Sequence, residues 1–526
     1  MNFVWRQVKE IQRGGLPLVW RKVGLLPQWL GASRCGQTLA IYGYKLAIAV
    51  NPNGVGARFR LAKALGRLNR ANEAAAGLKA VISIKPDFAE AHAQLAETLL
   101  RLGRFDEAFA AWERAFQFKP DWPEFHKRIE VAFHLCGQTW AARSIMQKVI
   151  DTRNDFARAH QLDKLGIRFS SEFSIAIGHI ALLDIYVKMG MLGWRSPARS
   201  ILLVKPGLPN PCYLDYWRRY LPDMIADPAA IEILSPLAKY LEDHISAVMD
   251  SSGQQSVGQD YIGGAQLASI QAQWEAEGRG PLLTLTDSDH ERGWQCLRTL
   301  GVPADAWFVG LHVREEGDES RQARDTDIAT YRMAIESIVA RGGWVVRMGD
   351  PAVTPLPLMP QVIDYARSNA RSDWMDVFLW ARCRFFIGTQ SGPAWVPPTF
   401  GVPCVVTNST FLSRRWFGQD LFITKLLWSE GEQRYLSFAE AVTSSAGVPE
   451  SLDYFTSGGL RIVDNTPEEI NDVAMEMLDR LEGNLKYTEE DEQLQGWFDR
   501  MWTSHAYKAT GRIGRDFLRK WAHLLD

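Results

Sequence analysis

A register of 34 residues runs through the first third of this 526-residue chain. Prolines stand at Pro52, Pro86 and Pro120, in the contexts NPN, KPD and KPD. Ala40, Ala74, Ala108 and Ala142 keep the same spacing, as do Leu61, Leu95 and Ile129. Gly103 and Gly137 fall where a turn between two helices is required. A period of this length holds a pair of helices and their turns, and small residues in phase let the helices cross closely. One such unit cannot bury its apolar face alone, so successive copies must stack. The register therefore predicts a linear all-α array.

This spacing resembles the tetratricopeptide repeat. Its best copy is AEAHAQLAETLLRLGRFDEAFAAWERAFQFKPD, Ala89 to Asp121, and the resemblance covers residues 35–155. It implies a superhelix whose concave face binds a peptide or protein partner; a short array can also serve only to stabilise the domain that follows. His92, His126 and His134 lack metal-ligand spacing, and no catalytic chemistry is visible in this region.

The formal net charge of −2 and a pI near 6.6 argue against a nucleic-acid partner, which requires a basic excess or a basic face. The six cysteines form no C-x-x-C pair, so a zinc or redox motif is not indicated, and reduced thiols in a cytoplasmic protein are expected. No stretch has the roughly 18 apolar residues of a membrane span. Asp184 and Lys188 interrupt the most apolar stretch. Residues 1–34 differ from the rest: Arg6, Lys9, Arg13, Arg21 and Lys22 alternate with Trp5, Leu18, Trp20 and Leu25. A basic amphipathic segment of this kind can lie on a membrane surface, here the inner face, or cap the neighbouring helices.

Beyond the repeats the pattern changes to strands alternating with helices. Strands are expected at Ala198–Val204, Trp307–Val313, Trp344–Arg347, Val362–Tyr365, Phe385–Ile387, Pro403–Thr407 and Arg461–Val463. Helices are expected at Ile328–Arg341, Asp373–Ala381, Gly392–Phe400 and Pro467–Leu481. The last carries Thr466 and Glu469 at capping-box spacing and Pro467 at its first position. This alternation specifies βαβ units and parallel sheets. The length fits two doubly wound, Rossmann-like halves facing a cleft: 156–300 and 301–485, with C-terminal helices in 486–526 crossing back to the first half. The expected fold class is therefore α/β, preceded by an all-α repeat module.

In open α/β sheets ligands bind outside the carboxyl ends of the strands. The stretch FVGLHVREEGDESRQARDTD, Phe308 to Asp327, places His312 and Arg314 at such an end, followed by a dense cluster of charge. The stretch RFFIGTQSGPAWVPPTFGVPCVV ends a second strand at Gly388 and continues through Thr389, Gln390, Ser391 and Gly392 into an expected helix. Hydroxyls and free amides at a helix start favour an anion. A guanidinium beside them suits a diphosphate, because arginine presents a fork matched to phosphate oxygens. Asp350, in MGDP after another strand, is a candidate for sugar hydroxyls or for a turn. Gly178 and His179 open a helix on the other side of the cleft. Asp373 and Asp376 read as helix capping, and Lys425 as a donor-side cation or a surface lysine.

GLHVRE followed by FIGTQSG and FGVP looks like the His-x-Arg and phosphate-loop pattern of GT-B sugar transferases related to the fucosyltransferases. More closely, residues 170–520 resemble a family of bacterial tetratricopeptide-linked glycosyltransferases. The resemblance implies a GT-B fold, a nucleotide-diphosphate sugar as donor substrate, no other cofactor and no metal. It also implies a glycan or protein acceptor, as in polysaccharide biosynthesis. By position it places the catalytic His-x-Arg motif on His312 and Arg314, with Arg314 on the donor diphosphate, and the loop serine on Ser391; Thr389, Gly392 and Asp350 are donor-binding candidates from their own places after strands. Gly178 and His179 fall on the acceptor side. Glu316 is favoured as acceptor base among Glu315, Glu316, Asp318 and Asp327. Glu315 stands where the fucosyltransferase pattern often has a second arginine. A nucleotide-sugar epimerase and a non-enzymatic repeat scaffold with a decayed α/β domain are the competing readings.

Overall fold

The computed structural model describes residues 34–119, 153–241, 244–248, 261–315, 319–410, 417–445, 455–503 and 511–525, apart from positions 69, 103, 196 and 457. The basic segment, the third and fourth phased positions Ile129 and Ala142, and Glu316 with Asp318 lie outside these residues. Contacts divide the chain into two units, 1–155 and 156–526.

The first unit contains helices Arg34–Val50, Val55–Arg67, Ala71–Ile84, Ala89–Arg101 and Phe105–Phe118, each packed on the next. The phased alanines explain that packing: Ala40, Ala74 and Ala108 are all buried. His92 donates Nε2–H to the Pro86 carbonyl at 2.8 Å. The periodic proline and the histidine thus close the same turn.

The second unit is built on parallel sheets. Strands β1 (Ile167–Ser170), β2 (Arg199–Leu203) and β3 (Asp223–Ile225) form the first. Strands β4 (His244–Val248) and β5 (Tyr261–Gly263) form a small parallel pair. The main sheet has seven parallel strands: β6 (Phe308–His312), β7 (Trp344–Arg347), β8 (Val362–Ile363), β9 (Phe386–Thr389), β10 (Cys404–Ser409), β11 (Leu421–Thr424) and β15 (Arg512–Ile513). Their order is β15-β11-β10-β9-β6-β7-β8. The central strands read as near-continuous apolar runs because both faces are covered. Val309, Val345, Phe386, Ile387, Val405 and Ile423 are all buried in one core shared with the first sheet's helices. The expected fold class is what the structure shows: helical repeats followed by an α/β unit with parallel sheets.

Several expected elements differ. Leu460–Val463 is β14, but it pairs antiparallel with β12 (Leu426–Ser429), which also pairs with β13 (Arg434–Tyr435). The expected helix Gly392–Phe400 is two four-residue 3-10 turns, Gly392–Trp395 and Pro397–Phe400, because Pro393, Pro397 and Pro398 remove the amide donors that an α-helix needs. The C-terminal segment supplies edge strand β15 to the main sheet, and its helix Arg515–Lys520 packs on Pro467–Leu481 rather than leaving for the first sheet. Lys520 and the Trp521 indole both donate to Glu469, at 2.7 and 2.8 Å. Lys425 is no surface lysine, being 2% exposed.

The capping box forms as its spacing requires: Thr466 accepts from the Glu469 amide, and Glu469 accepts from the Thr466 amide. Thr466→Ala is expected to lower stability by about 1 kcal/mol. A denaturation midpoint equal to that of the unaltered protein would show that the cap contributes nothing here.

Candidate functional site

Strand order fixes where a ligand can enter. From β6 the chain proceeds outward through β7 and β8, whereas β9, β10, β11 and β15 extend the sheet on the other side. The direction therefore reverses between β6 and β9. At such a switch point the loops leaving two adjacent strands diverge and open a crevice at their carboxyl ends. His312 ends β6 and Thr389 ends β9.

A cavity of about 630 Å³ occupies that position. Its lining includes His312, Arg314, Glu315, Asp350, Arg367, Ser391 and Gly392. The volume lies within the roughly 300–1,000 Å³ of small-molecule sites. Among the described residues, a second cavity of about 610 Å³ lies near Trp428, Tyr435 and His523. The charged residues there, Arg434 and Glu440, are spent on each other in two contacts of 2.8 Å.

The expected residues do not share one role. Arg314 donates Nε to Asp325 at 2.7 Å, and its Nη atoms have no partner among the described residues. His312 and Ser391 meet at 3.2 Å between Nδ1 and Oγ. Thr389 is buried, and its hydroxyl accepts the Arg314 amide at 2.9 Å. It ties the two strand ends together instead of lining the cavity. Gly392 lines the cavity and also packs against Gly178: a Cβ on Gly178 would lie 3.1 Å from Gly392 Cα. Gly178 and His179 sit in the short helix Ile177–Ala181 and are not among the lining residues. Gly178 thus allows the helix Ile177–Ala181 to approach the turn Gly392–Trp395 closely. Asp350 lines the exposed edge, where one oxygen holds the Ala352 amide at 2.8 Å. Asp327 caps the turn Ile328–Tyr331. The proline-broken 3-10 turn at Gly392 also lacks the aligned peptide dipoles on which a helix-start anion site depends.

Two further residues, Arg367 and Arg347, were not singled out by their sequence context, and Glu315 takes a role other than the base considered for it. Arg367 lines the cavity and donates Nη1 to the Pro351 carbonyl at 2.7 Å. It follows β8 at the carboxyl edge of the same sheet, a position shared with Arg314 and in principle readable. Arg347 is fully buried at the end of β7, paired with Asp364 at 2.9 Å. Glu315 accepts the Ile328 amide at 3.2 Å and the Thr354 amide at 3.0 Å. Both its oxygens are therefore engaged in joining two loops around the cavity.

Burial, with the Arg347 and then the Arg314 charge adding to it, pushes the His312 imidazole down to about 4 from 6.5. Near neutral pH the ring is uncharged, so it accepts the Ser391 hydroxyl proton or donates to that oxygen according to tautomer. Between pH 6.5 and 4 the unfolded chain binds a proton here that the folded chain does not. The stabilisation linked to this group is complete above about pH 6.5 and falls as pH drops toward 4. The expected loss is about 3 kcal/mol. His312→Gln should lessen the fall in melting temperature between pH 7 and 4.5; an identical fall in both proteins would contradict the assignment.

Among the described residues, no group of three or more His, Cys, Asp or Glu side chains could hold a metal ion. No helix of the described residues is long and apolar enough to cross a membrane. The cavity offers two guanidinium groups, one hydroxyl–imidazole pair and one exposed carboxylate. That set can neutralise a polyanion and hydrogen-bond hydroxyl groups.

A tetratricopeptide repeat model matches residues 67–128, which include the helices Ala71–Ile84, Ala89–Arg101 and Phe105–Phe118. No curated protein matches the sequence. Solved structures similar to the chain include a mutant O-GlcNAc transferase from Thermobaculum terrenum, at 13% identity over 96% of this chain and 98% of that one, with a TM-score of 0.25. The iron-containing dodecameric glycosyltransferase TibC from enterotoxigenic E. coli is 13% identical over 61% of this chain and 77% of its own, with a TM-score of 0.33. A family 9 glycosyl transferase from Veillonella parvula is 13% identical over 46% and 79%, with a TM-score of 0.29. Likenesses of this size carry no conclusion about the site, which rests on its own residues.

Proposed function

We propose that the second unit is a GT-B glycosyltransferase, which moves a sugar from a nucleotide-diphosphate donor to an acceptor hydroxyl. The observation that carries this reading is the cavity at the β6/β9 switch point, lined by both Arg314 and Arg367. A diphosphate leaving group gathers negative charge as the bond to the sugar breaks. Fixed cations at that position stabilise the transition state more than the ground state. Arginines supply that charge here, so the reaction is proposed to need no metal. Asp350 is proposed to hold donor hydroxyls, and the neutral His312 with Ser391 to orient the group next to the diphosphate. The acceptor is a surface-glycan intermediate or a protein, recruited by a partner-binding repeat array.

A thermal-shift screen against nucleoside diphosphates and nucleotide sugars, with and without magnesium, tests the donor site. A ligand of the native state raises the melting temperature. A rise with one base family, equal with and without magnesium, is expected. No rise with any of them would move the weight to a repeat scaffold without a donor site. Release of a changed sugar nucleotide without acceptor would identify an epimerase instead.

A further inference from the structure

We infer that Asp325 is a positioning residue that aims the Arg314 guanidinium into the cavity. The inference rests on the diphosphate reading of that cavity. Asp325 engages Nε, at 2.7 Å, and so fixes the plane of the guanidinium while leaving the Nη edge to the cavity that Arg314 lines. An arginine side chain has several rotatable bonds, and restraining it beforehand reduces the ordering cost of binding.

Asp325 can do this because its own backbone is held. The buried Lys425, next after β11, donates to the Asp325 carbonyl at 2.7 Å and pairs with Asp464 at 2.8 Å. The neighbouring Thr326 donates its hydroxyl to Asp464 at 2.6 Å, and its amide to the Arg314 carbonyl at 3.0 Å. The loop that carries Asp325 is thus closed on Arg314 at one side and on the sheet at the other. Its negative charge by itself would disfavour an anion, so a simple electrostatic role and a positioning role predict opposite signs.

Inorganic pyrophosphate, titrated by calorimetry into the full chain, is a probe that needs no knowledge of the base. Asp325→Ala is expected to weaken its binding about tenfold. Asp325→Asn keeps an oxygen for Nε and should bind at least as tightly as the unaltered protein. In an Arg314→Ala background, Asp325→Ala should cause no further loss, since coupled residues are non-additive. A residue that only supports the fold would weaken binding in both backgrounds. Unchanged affinity in Asp325→Ala, an additive loss in the double variant, or an Asn variant as weak as the Ala variant would each overturn the inference. If the unaltered protein does not bind pyrophosphate, the diphosphate reading itself fails, and this inference with it. Binding that is lost in Arg314→Ala but kept in Asp325→Ala leaves that reading standing and removes only the positioning role.

Discussion

Arg314→Ala is expected to weaken pyrophosphate or nucleoside-diphosphate binding by about 1.5–3 kcal/mol, or roughly ten- to a hundredfold. The fold should survive the change. The Arg314 backbone amide stays on Thr389 and its carbonyl stays with Thr326, so the strand end keeps its anchors. The removed side chain is 22% exposed and its partner Asp325 is 17% exposed, so the carboxylate left behind remains near water. Its cost to stability should be small, as for other pairs open to solvent. The loss should also shrink at high salt if part of it is long-range attraction. Calorimetry at two salt concentrations, with melting temperature as the folding control, checks this. A folded variant with unaltered affinity would remove Arg314 from the phosphate site and leave Arg367 as the candidate cation.

The largest effect on stability is expected from Gly388→Ala. Gly388 lies on β9 opposite His312 of β6, in the middle of the seven-stranded sheet. A Cβ at this position would overlap the His312 backbone carbonyl, which cannot swing aside as a flexible side chain would. Relief requires the two central strands to part at the carboxyl end, where the switch-point cavity opens. The cost should be about 3 kcal/mol or more. The same displacement would move His312 away from Ser391 and Arg314 away from its Thr389 anchor, so pyrophosphate binding should fall together with stability. Denaturant titration of the variant and the unaltered protein provides the test. Equal midpoints would mean that the strand spacing at this point is looser than the structure shows.

The sequence by itself determined the repeat module and the α/β class. The reason is periodicity. Alanines 34 residues apart must meet at helix crossings, and Ala40, Ala74 and Ala108 are indeed buried. Apolar runs bounded by turns specified β6, β7, β9 and β10 to within about two residues, since fully covered strands need little else. The local chemistry of Thr466, Pro467 and Glu469 set a helix start for the same reason: every group involved lies within four residues.

Only the tertiary structure decided which residues share the cavity and what each does there. Thr389 and Ser391 are two positions apart, yet one hydroxyl ties strand ends and the other faces His312. Residues two apart on one strand would share a face, but Ser391 lies beyond the end of β9, and the partners of both hydroxyls come from the end of β6. Arg347 and Asp364 read as ordinary charges in sequence, and Glu315 as one of four candidate bases. Their work of holding loops depends on contacts such as that between Glu315 and Thr354, 39 residues away. The Asp325–Lys425 contact spans 100 residues. Local pattern carries no signal for pairs so distant, because their geometry exists only once the sheet has set its strand order.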